Sequence, residues 1–147
     1  MEQQKDYNTS IVVDKSAEEV FNDINQVSEW WQGEIKGDTR EVNDEFTYQM
    51  GDVHFSKQKV IESLPGKKVV WLVTDSEINF VTDKKEWVDT KIVFEISPEG
   101  DKTRLTFTHQ GLLPAIECYG GCSIAWESLI KKSLFSYIQT GKGVAVF

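Results

Sequence analysis

The sequence predicts an α+β fold in which a curved antiparallel sheet wraps around one long C-terminal helix. The first observation is a series of segments in which apolar and polar residues alternate, the pattern of strands with one buried face. About six such segments follow one another after a short helical region, which favours an antiparallel meander. The second observation is a change of period near the C-terminus, where apolar residues between 123 and 140 recur every three or four positions.

The N-terminal part is predicted to contain one strand and two short helices. Residues 5–13 alternate and form the strand. Ser16 and Glu19 then have the spacing of a capping box, in which each side chain satisfies a free amide at the start of a helix. That helix carries Val20 and Phe21 on one side. A second short helix is expected over 26–31, ending at Gly33.

The remaining elements are predicted from the same alternation. The expected strands cover 46–50, 53–62, 68–74, 78–81, 86–96 and 104–109, with turns at 51–52, 65–66 and 98–101. The helix over 123–140 should end at Gly141. Its side chains expected on the concave face are Trp126, Leu129 or Ile130, Leu134 and Tyr137. Because one helix cannot fill a curved interior, a cavity of about 300–1,000 Å³ is expected there.

Length and charge limit the classes of partner. The 147 residues are expected to form one domain, residues 1–147. Sixteen basic and 24 acidic residues give a net charge of −8, which excludes nucleic acid and an anionic membrane surface as partners. The first residues lack a signal-peptide pattern, and apolar runs such as Val69–Val73 are too short to cross a bilayer. We therefore expect a cytoplasmic protein.

Aromatic and histidine side chains are the candidate ligand-binding residues, because large rings with a polar tip commonly line pockets. His109 should point towards the helix, where it could orient a polar ligand group, although a hydrogen-bonded structural histidine is the commoner case. His54 lies on a strand whose inward face the pattern leaves open. The full set is Tyr48, His54, Trp71, Phe94, Phe107, His109, Trp126 and Tyr137. No catalytic residue, metal site or cofactor is predicted, since the histidines and cysteines have no recognisable ligand spacing.

The two cysteines, Cys118 and Cys122, flank Tyr119, Gly120 and Gly121. The glycines make a disulfide-bonded turn possible. A thiol activated by the start of the last helix is a second alternative. The favoured alternative is that both cysteines are small buried side chains packed where the loop meets the helix, because free cysteines are usually buried and inert. In the cytoplasm both thiols are expected to be reduced.

Several short motifs occur in a particular order along the whole chain. They are Asp14–Phe21, Trp30-Trp31, Glu62–Lys67, Val70-Trp71, Thr106–Leu112, Cys118-Tyr119 with Cys122-Ser123, Trp126 and Thr140–Gly143. In this order they resemble the SRPBCC (START-like) superfamily, and within it the heat-shock-protein-90 ATPase activator homologue family in its single-domain bacterial form. One departure is Ala125-Trp126, where relatives usually have Gly-Trp. The resemblance implies a helix-grip fold with a cavity between sheet and helix.

The resemblance does not imply one reaction, since relatives bind lipids, sterols, hormones or polyketides and some are cyclases. The leading hypothesis is a module that binds a small hydrophobic or amphipathic molecule in the cavity. The second is a chaperone-accessory protein that contacts a chaperone partner. The third is a cyclase- or hydrolase-type enzyme using the same cavity. We rank the enzyme below the binding module, because His109 is the one firm inward candidate for chemistry.

Overall fold

A computed structural model of the protein describes residues 7–31, 33–39, 41–51, 54–78, 87–111 and 119–144. The elements begin with β1 (Tyr7–Val13), α1 (Ala17–Asn25) and α2 (Val27–Trp30). The next strands are β2 (Glu34–Gly37), β3 (Glu45–Met50), β4 (His54–Leu64), β5 (Lys68–Ile78), β6 (Lys91–Glu99) and β7 (Lys102–Gln110). The C-terminal helix consists of α3 (Tyr119–Ser128), a π-helical segment (Leu129–Leu134) and α4 (Phe135–Thr140).

The described strands form one seven-stranded sheet in the order β1-β7-β6-β5-β4-β3-β2. Every neighbouring pair is antiparallel. Side chains of the C-terminal helix and of α1 and α2 join those of the sheet in one hydrophobic core. This arrangement confirms the predicted helix-grip fold. No helix in the described ranges is long and apolar enough to cross a membrane.

The first helix begins as the sequence predicts. Ser16 is its N-cap, the Ser16 hydroxyl accepts from the Glu19 amide at 3.1 Å, and the Glu19 carboxylate accepts from the Ser16 amide. Val20, Phe21 and Ile24 are buried on the side that faces the sheet. A capping box of this kind fixes where the chain leaves β1 and enters the helix.

Several strand boundaries differ from the prediction. β2 was not predicted, because this short, mostly exposed edge strand has no run of alternating apolar residues. The strand expected at 78–81 is the end of β5 as far as Ile78, and residues 79–81 lie outside the described ranges. β6 begins at Lys91 instead of residue 86, since residues 87–89 form a turn in which Asp89 has a φ of 69°. β6 also continues through Glu99, and the turn begins at Gly100.

The C-terminal helix contains a π-helical segment in its middle. Leu129, Ile130, Ser133 and Leu134 are buried there, in the i, i+1, i+4, i+5 spacing of one helix face. The sequence predicted only one of Leu129 and Ile130 there. Tyr137, expected on the concave face, is half-buried, and Ile138 is the buried residue of α4.

Cys122 is disulfide-bonded, so the expectation of two reduced thiols is wrong. The other cysteine of the chain, Cys118, lies outside the described residues. The physical reason was visible in the sequence: two glycines lie between the cysteines, and residues without a Cβ allow the chain to turn tightly.

Candidate functional site

The inner face of the sheet carries a band of polar side chains on β4. Ser56 and Gln58 are fully buried there, and His54 lies half-buried at the end of the band. Lys57 and Lys59 are partly exposed on the opposite face. The sequence left the orientation of β4 open, because Lys57 and Lys59 interrupt one face and the other face is mostly polar. The structure places the face of His54, Ser56 and Gln58 inward.

These three side chains form a short hydrogen-bonded series. The Gln58 amide nitrogen donates to Ser56 Oγ at 2.5 Å. Ser56 Oγ lies 3.3 Å from Nε2 of His54, so the serine proton can be donated to the unprotonated ring nitrogen. The ring of His54 also packs edge-on against Trp87, with centroids 4.5 Å apart. The band therefore continues from the centre of the sheet to the aromatic rings at the end of β4.

Two buried polar atoms beside this band have no hydrogen-bond partner within the described part of the chain: Gln58 Oε1 and Trp71 Nε1. Turning the Gln58 amide over would exchange its two atoms and still leave one of them unpartnered. The two residues are diagonal neighbours on β4 and β5, because Gln58 pairs with Val73 and Val60 pairs with Trp71. Diagonal neighbours on adjacent strands are about 7–8 Å apart, close enough for long side chains on the same face to meet.

His109 is fully buried on β7, and both of its ring nitrogens are engaged. Trp126 Nε1 donates to His109 Nδ1 at 3.1 Å. Since an indole nitrogen can only donate, the His109 proton must be on Nε2, which lies 2.8 Å from Thr90 Oγ1. The Thr90 hydroxyl in turn donates to the carbonyl of Trp87 at 2.5 Å. The series links the C-terminal helix to β7 and to the turn before β6, which is the structural role the sequence had left open for His109.

Burial keeps the polar groups of the interior uncharged. It lowers the pKa of His109 to about 3, with a smaller contribution from the nearby His54, and it lowers the pKa of His54 to about 4. Burial also raises the pKa of Tyr48 to about 12, so its hydroxyl stays protonated. The site consequently offers neutral hydrogen-bonding groups and no fixed charge.

Seven of the eight candidate residues lie on the inner side of the sheet or face it from the C-terminal helix. Phe107 contacts Trp126 at a centroid distance of 4.6 Å, and Trp71 contacts Phe94 at 4.9 Å. Tyr48 and His54 lie 5.3 Å apart at the other end. Tyr137, on α4, is only partly buried, and its pKa is raised by burial and then by the carboxylates of Asp23 and Glu29.

Sequence reasoning missed several residues of this interior. Trp31 stacks on Tyr48 with centroids 4.1 Å apart and lies parallel to Trp71 at 6.2 Å. Trp87 packs against both histidines, at 4.5 Å from His54 and 4.7 Å from His109. Trp31 belongs to the adjacent pair Trp30-Trp31, a sequence feature that could have marked it as a candidate. Trp87 has no such signal, because it lies in a turn rather than on the predicted strand.

Two clefts in the described part of the structure are lined by residues of α2. A cleft of about 500 Å³ is bounded by the end of α1, by Val27 and by residues of the β2–β3 connection. A smaller one of about 180 Å³ is bounded by Trp30, Trp31, Ser133 and Val144. Neither has the walls that the sequence predicted for the interior cavity. The described residues also contain no group of three acidic, histidine or cysteine side chains able to hold a metal ion.

A family profile described as "Activator of Hsp90 ATPase homolog 1-like protein" matches residues 15–139. The chain belongs to this family. No curated protein sequence matches it.

Several solved structures are similar to this chain in fold. The solution structure of the Aha1 dimer from Colwellia psychrerythraea has a TM-score of 0.76 at 21% identity, covering 95% of this chain and 99% of that one. The crystal structure of protein SSP2350 from Staphylococcus saprophyticus has a TM-score of 0.71 at 13% identity, covering 97% and 98%. DynU16, from the dynemicin biosynthetic locus, has a TM-score of 0.64 at 15% identity, covering 95% and 49%. At these identities the likeness shows the fold.

Proposed function

We propose that this protein binds a small amphipathic molecule between the sheet and the C-terminal helix. The observation that supports the proposal is the pair of buried, unpartnered atoms Gln58 Oε1 and Trp71 Nε1. Each such atom costs about 1–3 kcal/mol of stability, because it has lost its water without gaining a partner. A core used only for packing would place an apolar side chain at position 58. A ligand group that both donates and accepts, such as a hydroxyl, would satisfy both atoms at once.

The proposed contact residues are those predicted from the sequence. Tyr48, Trp71, Phe94, Phe107 and Trp126 would supply apolar ring surface around the ligand body. His54 would lie near the polar head through Ser56, and His109 would contribute ring surface, because its nitrogens are already bonded. Tyr137, half-buried on α4, would contribute from the margin of the core.

Binding requires aromatic rings to separate, and Trp31 is the ring best placed to move. It follows α2, a helix of only four residues, and a helix this short has little stability of its own. Trp31 covers both Tyr48 and Trp71, at 4.1 and 6.2 Å. Moving it would open the interior beside the unpartnered indole, and the change would be visible in tryptophan fluorescence.

The test replaces Gln58 with Met, which keeps the length of the side chain and removes the polar atoms. We expect Gln58→Met to raise the free energy of unfolding, because removing the unpartnered atom gains about 1–3 kcal/mol, whereas the lost hydrogen bond to Ser56 Oγ costs about 0.5–1.5 kcal/mol. The same variant should bind a long-chain primary alcohol at least about fivefold more weakly, measured by tryptophan fluorescence titration.

The matched ligand control is the alkane of the same chain length. It has no hydroxyl, so wild type and Gln58→Met should bind it equally. If the alcohol binds neither protein, or binds both equally, the proposal is wrong. A stabilised variant that retains full alcohol binding would show that position 58 does not contact the ligand.

A second candidate function follows from the family: stimulation of a chaperone ATPase through a protein contact. The feature that favours it is Ile124 on α3, a large apolar side chain that is 69% exposed and available for a contact. We expect the purified protein to raise the ATPase rate of an Hsp90-type chaperone and Ile124→Asp to abolish the effect. Lys131→Asp, a charge change on the exposed side of the same helix, is the control. An unchanged ATPase rate with wild type would eliminate this function.

Location in the cytoplasm remains a prediction from the sequence. The disulfide at Cys122 stands against it, because reducing compartments keep structural thiols free. Alkylation of the protein in intact cells before lysis, followed by mass measurement, decides between the two states. A cytoplasmic protein should then carry two alkylated cysteines.

A further inference from the structure

The residues that follow α4 turn back and lie against α2; we call this segment, residues 141–144, the strap. Gly141 has a φ of 84°, and its amide donates to the carbonyl of Tyr137 at 2.8 Å, so the helix ends there in a left-handed turn. Further along, a Cβ placed on Gly143 would overlap the backbone carbonyl oxygen of Glu29 in α2. The strap therefore approaches the backbone of α2 as closely as only a glycine permits.

A buried serine of the C-terminal helix ties the strap to α2. Ser133 lies in the π-helical segment and is only 1% exposed. Its hydroxyl donates to the carbonyl of Trp30, the last residue of α2, at 2.7 Å. The same oxygen accepts from the amide of Val144 in the strap at 3.2 Å. Three elements, the C-terminal helix, α2 and the strap, therefore meet at one side chain.

The contacts that fix α2 also fix the ring of Trp31, because Trp31 directly follows this helix. A helix of four residues has few hydrogen bonds of its own, one of which joins the Trp31 amide to the carbonyl of Val27 at 2.9 Å. The bonds that α2 receives from Ser133 and from the strap consequently matter for where the Trp31 ring lies. That ring covers Tyr48 and Trp71 in the interior.

The strap can separate from α2 without unfolding the core. Its four residues are exposed, and the side chain of Val144 retains 43% of its surface in water, so little apolar area is lost on release. Between the strap and α2 lies the cleft of about 180 Å³, which Trp31 and Ser133 also line. The two elements are thus already partly separated beside the ring that would have to move.

We infer that the strap holds Trp31 in its closed position and that a ligand enters the interior when the strap lifts from α2. This inference rests on the proposed function, since it concerns the route to the same interior. Ser133 is then a positioning residue: it touches no ligand and acts by holding Trp30 and the strap together.

The first test is hydrogen exchange of the ligand-free protein, measured by NMR. Gly143→Ala should displace the strap, because a Cβ at this position meets the Glu29 carbonyl. We expect the amide of Trp31 to exchange about threefold to tenfold faster, the effect of losing one hydrogen bond. The indole N–H of Trp126, which is bonded to His109 and not to the strap, should keep its wild-type rate.

The second test follows the binding of a long-chain primary alcohol by stopped-flow tryptophan fluorescence. Gly143→Ala should raise the association and dissociation rate constants by about threefold or more and leave Kd within about twofold, since entry and exit use the same opening. Ser133→Ala should act in the same direction, because the Val144 amide loses its acceptor. The matched control is Ser136→Ala on the same helix, whose hydroxyl lies 3.5 Å from that of Thr140, and it should bind at wild-type rates.

Faster exchange at Trp31 together with faster association and dissociation would support the inference. Equal exchange at Trp31 in Gly143→Ala and wild type would show that the strap does not hold α2, and the inference would be refuted. Faster exchange with unchanged binding rates would refute the entry route alone and leave the proposed function standing. Failure of wild type to bind the alcohol would refute the proposed function and the route with it. Ser133→Ala gives the same decisions should Gly143→Ala fail to fold.

Discussion

His109 and His54 are neutral side chains held where a charge would be costly. Both nitrogens of His109 are used in hydrogen bonds that hold a neutral ring, and no carboxylate is bonded to it within the described residues. Burial therefore lowers its pKa to about 3 and that of His54 to about 4. In the unfolded chain each would titrate near 6.5.

This difference predicts loss of stability in acid. Below pH 6.5 the unfolded chain takes up protons that the folded protein cannot, so the free energy of unfolding falls as the pH falls from about 6.5 towards 4. The slope is up to about 1.4 kcal/mol per pH unit for each histidine. Urea unfolding at pH 7, 6 and 5 measures it.

A His54→Gln variant isolates the contribution of His54 to the pH dependence of stability. The carboxylates, which also titrate in acid, are the same in this variant and in wild type, so their effect cancels in the comparison. We expect its stability to depend less steeply on pH over the same interval. Identical curves for the two proteins would mean that His54 titrates normally in the folded state and that its ring is more accessible than the structure indicates.

At single positions, the sequence predicted which side chains face inward better than it predicted what they do. Alternation on β7 was enough to place Leu105, Phe107 and His109 on the buried face. The partners of His109 come from Thr90 and Trp126, which are distant in sequence, so no local pattern could reveal them. The unpartnered atom of Gln58 was equally invisible, because a buried glutamine in a strand cannot be told from an exposed one by residue type.

Helix α1 has a start that is fixed by local contacts. Its capping box involves two residues three positions apart, which is why the sequence predicted it correctly. The π-helical segment shows the opposite case. Its extra residue per turn depends on packing against the sheet, and an apolar period of three to four cannot distinguish it from a regular helix.

The capping box gives a stability prediction for α1. Ser16→Ala should lower the free energy of unfolding by about 1 kcal/mol, because the Glu19 amide loses its acceptor. The matched control is Ser28→Ala on the exposed side of α2, which should change stability by less than about 0.5 kcal/mol. Equal effects in urea unfolding would mean that the cap contributes nothing beyond helix propensity.

In the molecule as a whole, Trp126 joins the C-terminal helix to the sheet. It is buried against Phe107 and Trp31, with centroids 4.6 and 5.1 Å away, and it donates the hydrogen bond to His109. Trp126→Ala should therefore cost about 3–5 kcal/mol, measured by thermal or urea unfolding.

Trp126→Phe serves as the companion variant. It keeps most of the ring contacts but leaves His109 Nδ1 without a donor, so its cost should be about 1–3 kcal/mol, below that of the alanine variant. If alanine costs no more than phenylalanine, the helix is held by its other buried side chains and Trp126 is not its main anchor.

The position of β1 in the sheet affects how the chain folds during translation. Among the described strands it is made first, yet its neighbour in the sheet is β7; the bonded side chains of Ser10 and Arg104 are 94 residues apart. At about 5–20 residues per second, β1 waits roughly 5–20 s for that neighbour. Each of the strands β3 to β7 pairs with the strand made just before it, so β2 to β7 can assemble in order of synthesis. Until β7 has been made, the apolar face of β1, formed by Tyr7, Ile11 and Val13, has no strand to pair with. A ribosome-associated chaperone would have to shield it during this interval.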